Sequence, residues 1–236
     1  MQSYSLDNSL VAKDASLVES QYVKMELDRE IYLNRARRVA ELTIPHLYPP
    51  KGSNEATEYP TPYQSVGSRG VTNLASKLML ALFPPQAPFF RLDVDELVYK
   101  QIQGDPQQKA TIEEGLAKIE KAVMDSIETN NDRVAVYEAL KHLIVSGNVL
   151  LKMSDTGLRT YSLNNYVVKR DPQGKILKII IKEGISPNTL PEKLRKTIGD
   201  KLKEEQKSLN LYTCVYREKD RFYVHQECGK QKVFEQ

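Results

Sequence analysis

An α+β fold, with an amino-terminal helical part packed with a carboxy-terminal antiparallel β-rich part, follows from three features of the 236-residue sequence. Up to residue 147 the apolar residues recur at spacings of three and four, as in helices that bury one face. From residue 148 they fall into short runs separated by Asp-Thr-Gly, Asp-Pro-Gln-Gly and similar turn sequences, the pattern of hairpins. Prolines crowd residues 43–62 and 84–88, and they divide the helical part into separate elements.

In chain order, residues 1–20 are polar and weakly patterned and read as a mobile arm or short surface helix. Residues 21–42 are good helix formers, with Val23, Leu27 and Ile31 four apart as an apolar face. Arg35, Arg37 and Arg38 charge the second half of that helix. With Glu30 and Glu41 beside them they suit a solvated face or a subunit contact better than a phosphate site. Residues 43–62 hold Pro45, Pro49, Pro50, Pro60, Pro62 and Gly52, which implies a long, stiffened loop. Tyr48, Tyr59 and Tyr63 are placed to anchor this loop on a neighbour.

The stretch TPYQSVGSRGVTNLASKLMLALFPPQAPFFRL, residues 61–92, organises the rest. Thr61 can cap free amides, Pro62 suits the first helical position and Gln64 can complete a capping box, so the helix is expected to start there. Gly67, Val71, Leu74, Leu78 and Leu82 fall on one face, and Met79, Leu80 and Ala81 widen it into a last turn that is apolar all round and expected to be buried. Pro84 and Pro85 end the helix, and the alternation over residues 89–94 predicts a half-buried strand.

Residues 95–103 read as a short helix ended by Gly104 and Pro106. Residues 108–129 form an amphipathic helix, with Ile112, Leu116, Ile119, Val123 and Ile127 on one side and a Glu114–Lys118 pair on the other. Asp132 is expected to cap a further helix, residues 133–146, with Val136, Leu140 and Leu143 on one face and Gly147 closing it. Residues 149–153 and 158–163 make a first hairpin, and residues 166–170 and 175–182 a second. Residues 190–202 read as a charged helix beginning near Pro191, and residues 209–217, 221–226 and 231–234 as three more strands. A strand so near the end of the sequence leaves an edge that proteins usually cover, which suggests that more chain follows. The expected division is thus an arm (1–20), a helical part (21–147) and a β-rich part (148–236).

Composition excludes several classes. An apolar share of 40% supports a real core, and 34 basic against 31 acidic side chains leave a net charge of only +3, unlike a strongly basic nucleic-acid or membrane binder. The longest apolar run, residues 78–83, is far short of a membrane span, and two cysteines with a polar start suit a reducing cytoplasm and no disulfide framework. The three histidines, His46, His142 and His225, are scattered, so no catalytic cluster forms. Cys214, His225 and Cys228 match no usual zinc spacing, and no metal or cofactor is expected. His142 with Glu138 one turn before it reads as a helix-surface pair. Gly67-Ser68-Arg69-Gly70 resembles the glycine loop of KH domains, but it sits in the first turns of the central helix, where close helix packing or a strained turn is the better explanation.

PTPYQSVGSRGVTNLASKLMLALFPPQ, preceded by TIPHLYPP and followed by YEALKHLIVSGNVLL and YVVKRDPQGKI, resembles the head-to-tail connector (portal) proteins of podovirus-type short-tailed bacteriophages. The likeness covers nearly the whole chain. It implies a wing-like α+β portion of a non-enzymatic subunit, of which about a dozen would form a ring at a capsid vertex. It also implies partners in capsid, scaffold, packaging motor and tail proteins, with double-stranded DNA passing through the channel during packaging and ejection, in a virion component made in the host cytoplasm. Portal chains of this family are about twice this length. Their stem, clip and crown lie outside this sequence, so DNA-contact residues cannot be carried over. What carries over is structural: Thr61, Pro62, Gln64, Gly67, Gly70, Asn73 and Leu74 match the most recognisable segment and are expected to organise the wing, with core packing as the competing explanation for Leu74. The alternative is a free-standing nucleic-acid-binding domain using the Gly67–Gly70 turn and Arg35, Arg37 and Arg38, which would hold DNA as a monomer with a steep salt dependence.

Overall fold

The computed structural model describes residues 17–50, 52–53, 56–59, 61–85, 87–94, 106–154, 156–187, 208–218, 221–228 and 231–235. The expected arm before residue 17 and the expected helices at 95–103 and 190–202 lie outside these residues. Helices and antiparallel strands divide as an α+β fold should. The helices are α1 (Val18–Leu42), α2 (Val66–Leu82), α3 (Pro106–Thr129) and α4 (Asp132–Ser146). The strands are β1 (Leu150–Ser154), β2 (Gly157–Tyr161), β3 (Tyr166–Arg170), β4 (Ile176–Ile185), β5 (Leu209–Glu218), β6 (Arg221–Cys228) and β7 (Gln231–Glu235).

Two compact units form, Met1–Arg35 with Leu163–Gln236, and Ala36–Ser162. These bounds differ from a division at 147/148, because the β1–β2 hairpin packs on α4 while the first part of α1 packs with the large sheet.

In the first unit β3 to β7 form one antiparallel sheet in sequence order. The β-branched run of β4 pairs along its length with β5, and β5 with β6. Val18 and Tyr22 of α1 bury against Val167, Ile180, Tyr212 and Cys214 on one sheet face. Period-2 alternation sends Leu209, Leu211 and Cys228 to the other face, where they cluster with Ile185 and Val233. The apolar face expected for α1 is therefore the wrong one. Val23, Leu27 and Ile31 are 52%, 73% and 69% exposed, and the buried face is Val18, Tyr22, Arg29, Leu33, Ala36 and Ala40. A polar residue sits in that face because its partners are on the sheet: Arg29 Nη1 donates to Tyr22 Oη and to the carbonyl oxygens of Asn164 and Tyr166, and its Nη2 pairs with Glu26. Reading apolar letters alone could not find a stripe built around an arginine.

In the second unit α2 and α4 cross through Ala75, Val136 and Leu140, with Leu78, Met79, Phe83 and Tyr137 around them. Asp132 does not cap α4. The cap position is Asn131, in the left-handed region at φ 57°, and Asp132 Oδ1 is buried and accepts from Leu158 N–H at 2.7 Å, tying the hairpin to the helix. Gly147 ends α4 at φ 71°, its N–H bonded to Leu143 carbonyl, as expected. The proline-rich loop contains a 3-10 turn, Pro45–Leu47, followed by a fully buried Tyr48. Tyr48 donates to Ser146 Oγ at 2.8 Å and meets His142 Nδ1 at 3.2 Å. His142 does stand 3.9 Å from Glu138 through Nε2, as the spacing suggests, but it is buried rather than on the helix surface, and burial holds its pKa below the ordinary 6.5.

Candidate functional site

The segment singled out by sequence centres on α2. Its helix starts at Val66, later than Thr61, because residues 61–65 stay outside the helix; Ser65 occupies the cap position without a side-chain cap bond, and no capping box forms. Gly67 fits the second position of the helix because a Cβ there would stand 2.3 Å from the Leu42 carbonyl oxygen at the end of α1. That contact accounts for Gly67 as a packing residue. Gly70, one turn on, has open space where a side chain would be.

Only Val71 and Ala75 of α2 are buried, with Leu78 and Met79 half-buried. Leu74 is 46% exposed, so core packing does not explain it. The last turn is not buried all round, since Leu80, Ala81 and Leu82 face solvent. Phe83, Phe89 and Phe90 stack edge to tilted face instead, and burial alternates over residues 89–94, but no strand pairs there. The corner is held by Arg133 of α4, whose Nη1 and Nη2 donate to the carbonyl oxygens of Phe83 and Pro84 at 2.6 and 3.2 Å. Leu92 N–H reaches Glu120 of α3 at 2.6 Å. The stripe expected to be covered on α3 is open in the middle, where Ile119 and Val123 are exposed, and the expected Glu114–Lys118 pair closes at 2.8 Å.

Thr61, Pro62, Gln64 and Gly67 line one cleft of about 540 Å³, walled also by Glu41 and Leu42. Asn73 lies in a second of about 530 Å³ with Arg69, Thr72, Ser76 and Lys77, and Gly70 and Leu74 stand open on the helix itself. Sequence reasoning missed Lys77 and Val66 on this surface, and it gave Arg69 to a glycine turn and Leu80 to a buried face. The signal was present: α2 contains no acidic residue.

Reactive constellations do not arise elsewhere among the described residues. Cys214 and His225 are cross-strand partners, but Cys228 lies on the opposite sheet face, and no His, Cys, Asp and Glu group could hold a metal ion. Burial raises both thiol pKa values, that of Cys214 to about 11. No described helix is long and apolar enough to cross a membrane.

A family model described as bacteriophage head to tail connecting protein matches residues 15–234. The chain belongs to this family. Within it, the portal protein of Escherichia phage T7 is 41% identical over 212 residues, covering 86% of this chain and 39% of its own length. That of Enterobacteria phage T3 is 41% identical over 208 residues, covering 84% and 38%, and that of Enterobacteria phage SP6 is 33% identical over 204 residues, covering 84% and 39%. The chain therefore spans about 39% of the length of these connector relatives. In this member of the family α2 is a helix anchored at Gly67 and along one narrow face, with most of its circumference in solvent.

Proposed function

We propose that the chain is a structural, non-enzymatic part of a phage portal subunit, in which the exposed side of α2 meets a neighbouring copy in the ring. The observation that carries this is the character of that side: Val66, Leu74 and Leu80 are exposed beside Arg69 and Lys77, on a helix without acidic residues. A mixed apolar and basic strip of that kind fits a subunit contact better than a solvated face. Thr61, Pro62, Gln64, Gly70, Asn73 and Leu74 belong to the contact, and Gly67 sets the approach of α2 to α1. In the assembled connector about a dozen copies would close head to tail around a channel at the capsid vertex. Double-stranded DNA would pass through that channel during packaging and ejection, with capsid, scaffold, motor and tail proteins as partners and the virion as location.

The test is assembly. The full-length gene product, imaged by negative-stain electron microscopy, should form rings, and Leu74→Glu with Leu80→Glu should leave single subunits of unchanged thermal stability. A wild-type product that stays a lone subunit at every concentration, or a double variant that assembles normally, would overturn the proposal.

A further inference from the structure

The antiparallel register of the large sheet sets the β3–β4 turn beside the end of β5 and the start of β6, at one end. Lys169, Arg170, Lys175 and Arg221 are exposed there, with Arg217 half-exposed. Among the described residues none of the first four is held in a salt bridge. Among the described residues the acidic side chains at this end are Asp171, whose Oδ1 accepts from Lys175 N–H within its own turn, and Glu218, the cross-strand partner of Arg221. Of the other described acids of the sheet, Glu183 and Glu227 stand toward its far end with Lys182, and Glu235 of β7 pairs with His225 in mid-sheet. A chain of net charge only +3 has thus gathered, among its described residues, an excess of basic side chains at this end of the sheet.

Aromatic rings are interleaved with these cations. On one sheet face the exposed Lys169 is followed across the strands by Lys178, which is buried with its Nζ donating to Gln21. Next come Tyr216, packed against the core under α1, and the half-buried Tyr223 stacked on it at 5.5 Å and 20°. On the other face Phe222 is 64% exposed, with the Arg217 guanidinium 5.9 Å from its ring. Cations alone would suit any polyanion. An exposed ring beside them favours one that also carries flat bases.

We propose that this end of the sheet is a contact site for the phosphodiester backbone of nucleic acid. It is separate from Arg35, Arg37 and Arg38 and from the Gly67–Gly70 turn, and it does not depend on the ring reading. Exposed lysines and arginines neutralise phosphates without reading sequence, so binding is sequence-independent and salt-sensitive.

Fluorescence anisotropy of the 236-residue chain with a labelled duplex, and with a labelled single strand of the same length, tests it across a salt series. Binding to at least one probe is expected to weaken steeply with salt. The variant K169Q/R170Q/K175Q/R221Q is expected to lose about tenfold or more in affinity and to flatten the slope of log K against log salt by about 2–4. The variant R35Q/R38Q is expected to bind as wild type. All these side chains are exposed, so circular dichroism melts should coincide; should the fourfold variant melt early, K169Q/R170Q alone is read, with about half the slope change. Absence of salt-sensitive binding, wild-type binding by the sheet variants, loss on changing Arg35 and Arg38, or equal affinity for polyglutamate, which would mark an acidic protein as the partner, each overturns the proposal.

Discussion

Arg29 Nη1, on α1, donates to the carbonyl oxygen of Tyr166 at the start of β3 at 2.8 Å, in a position with almost no solvent access. β3 is an edge strand, and edges with free carbonyls invite pairing with other chains. The same nitrogen also serves Asn164 carbonyl and Tyr22 Oη, so one cation fastens the helix to the sheet and occupies acceptors of its edge.

Replacing this arginine should be among the most damaging single changes in the first unit. Arg29→Ala strands two buried or half-buried carbonyls and is expected to cost about 3 kcal/mol. Urea unfolding followed by circular dichroism measures it. Arg29→Lys, which cannot span the same acceptors in one plane, should recover less than half.

Gly67 and Gly70 make a controlled pair. Alanine is the better helix former by about 1 kcal/mol, so Gly70→Ala, with nothing near its new Cβ, should stabilise by about 0.5–1 kcal/mol. Gly67→Ala must push α2 off the Leu42 carbonyl, and is expected to destabilise by about 1–3 kcal/mol despite the same propensity gain. Equal effects in thermal melts would contradict the close contact.

His142 gives the second unit an acid sensitivity. Its folded pKa lies below 6.5 because burial opposes the charge, Lys141 and His46 oppose it further, and Glu138 favours it. Below about pH 6.5 the unfolded chain binds the proton first, so this contribution to stability is complete above that pH and declines as pH falls toward the folded value. With its own proton given to Ser146, Tyr48 accepts from Nδ1–H, which fits a neutral ring. Unfolding free energy measured between pH 7.5 and 5.5 should fall, and His142→Gln should flatten that fall.

The thiols should be silent in the folded state. Burial pushes Cys214 to about 11 and raises Cys228, and both side chains are fully buried. Ellman's reagent at pH 8 is expected to react with neither until denaturant is added, and then with both. Rapid labelling of the native chain would mean that the sheet opens far more readily than its packing implies.

Much of the fold was legible because it rests on local chemistry. Gly147, the β3–β4 turn at residues 171–175 and the strands of the large sheet follow from turn residues and alternation, and they occur where those signals put them. Three of the failures share one cause: partners distant in sequence. The buried face of α1 is defined by Arg29 meeting Asn164 and Tyr166, Asp132 is taken by Leu158, and His142 by Tyr48. The residues around Gly67 were readable as a segment, but that Leu74 faces water and Gly67 faces a carbonyl required the α1–α2 approach itself.

Val23, Leu27 and Ile31 run along the outer side of α1 for two turns with nothing described lying over them. A greasy seam of this length governs colloidal behaviour: kosmotropic salts should precipitate the chain early, and Leu27→Lys should delay that cloud point without shifting the melt. Purification in low ammonium sulfate, rather than any change to the core, is the practical remedy.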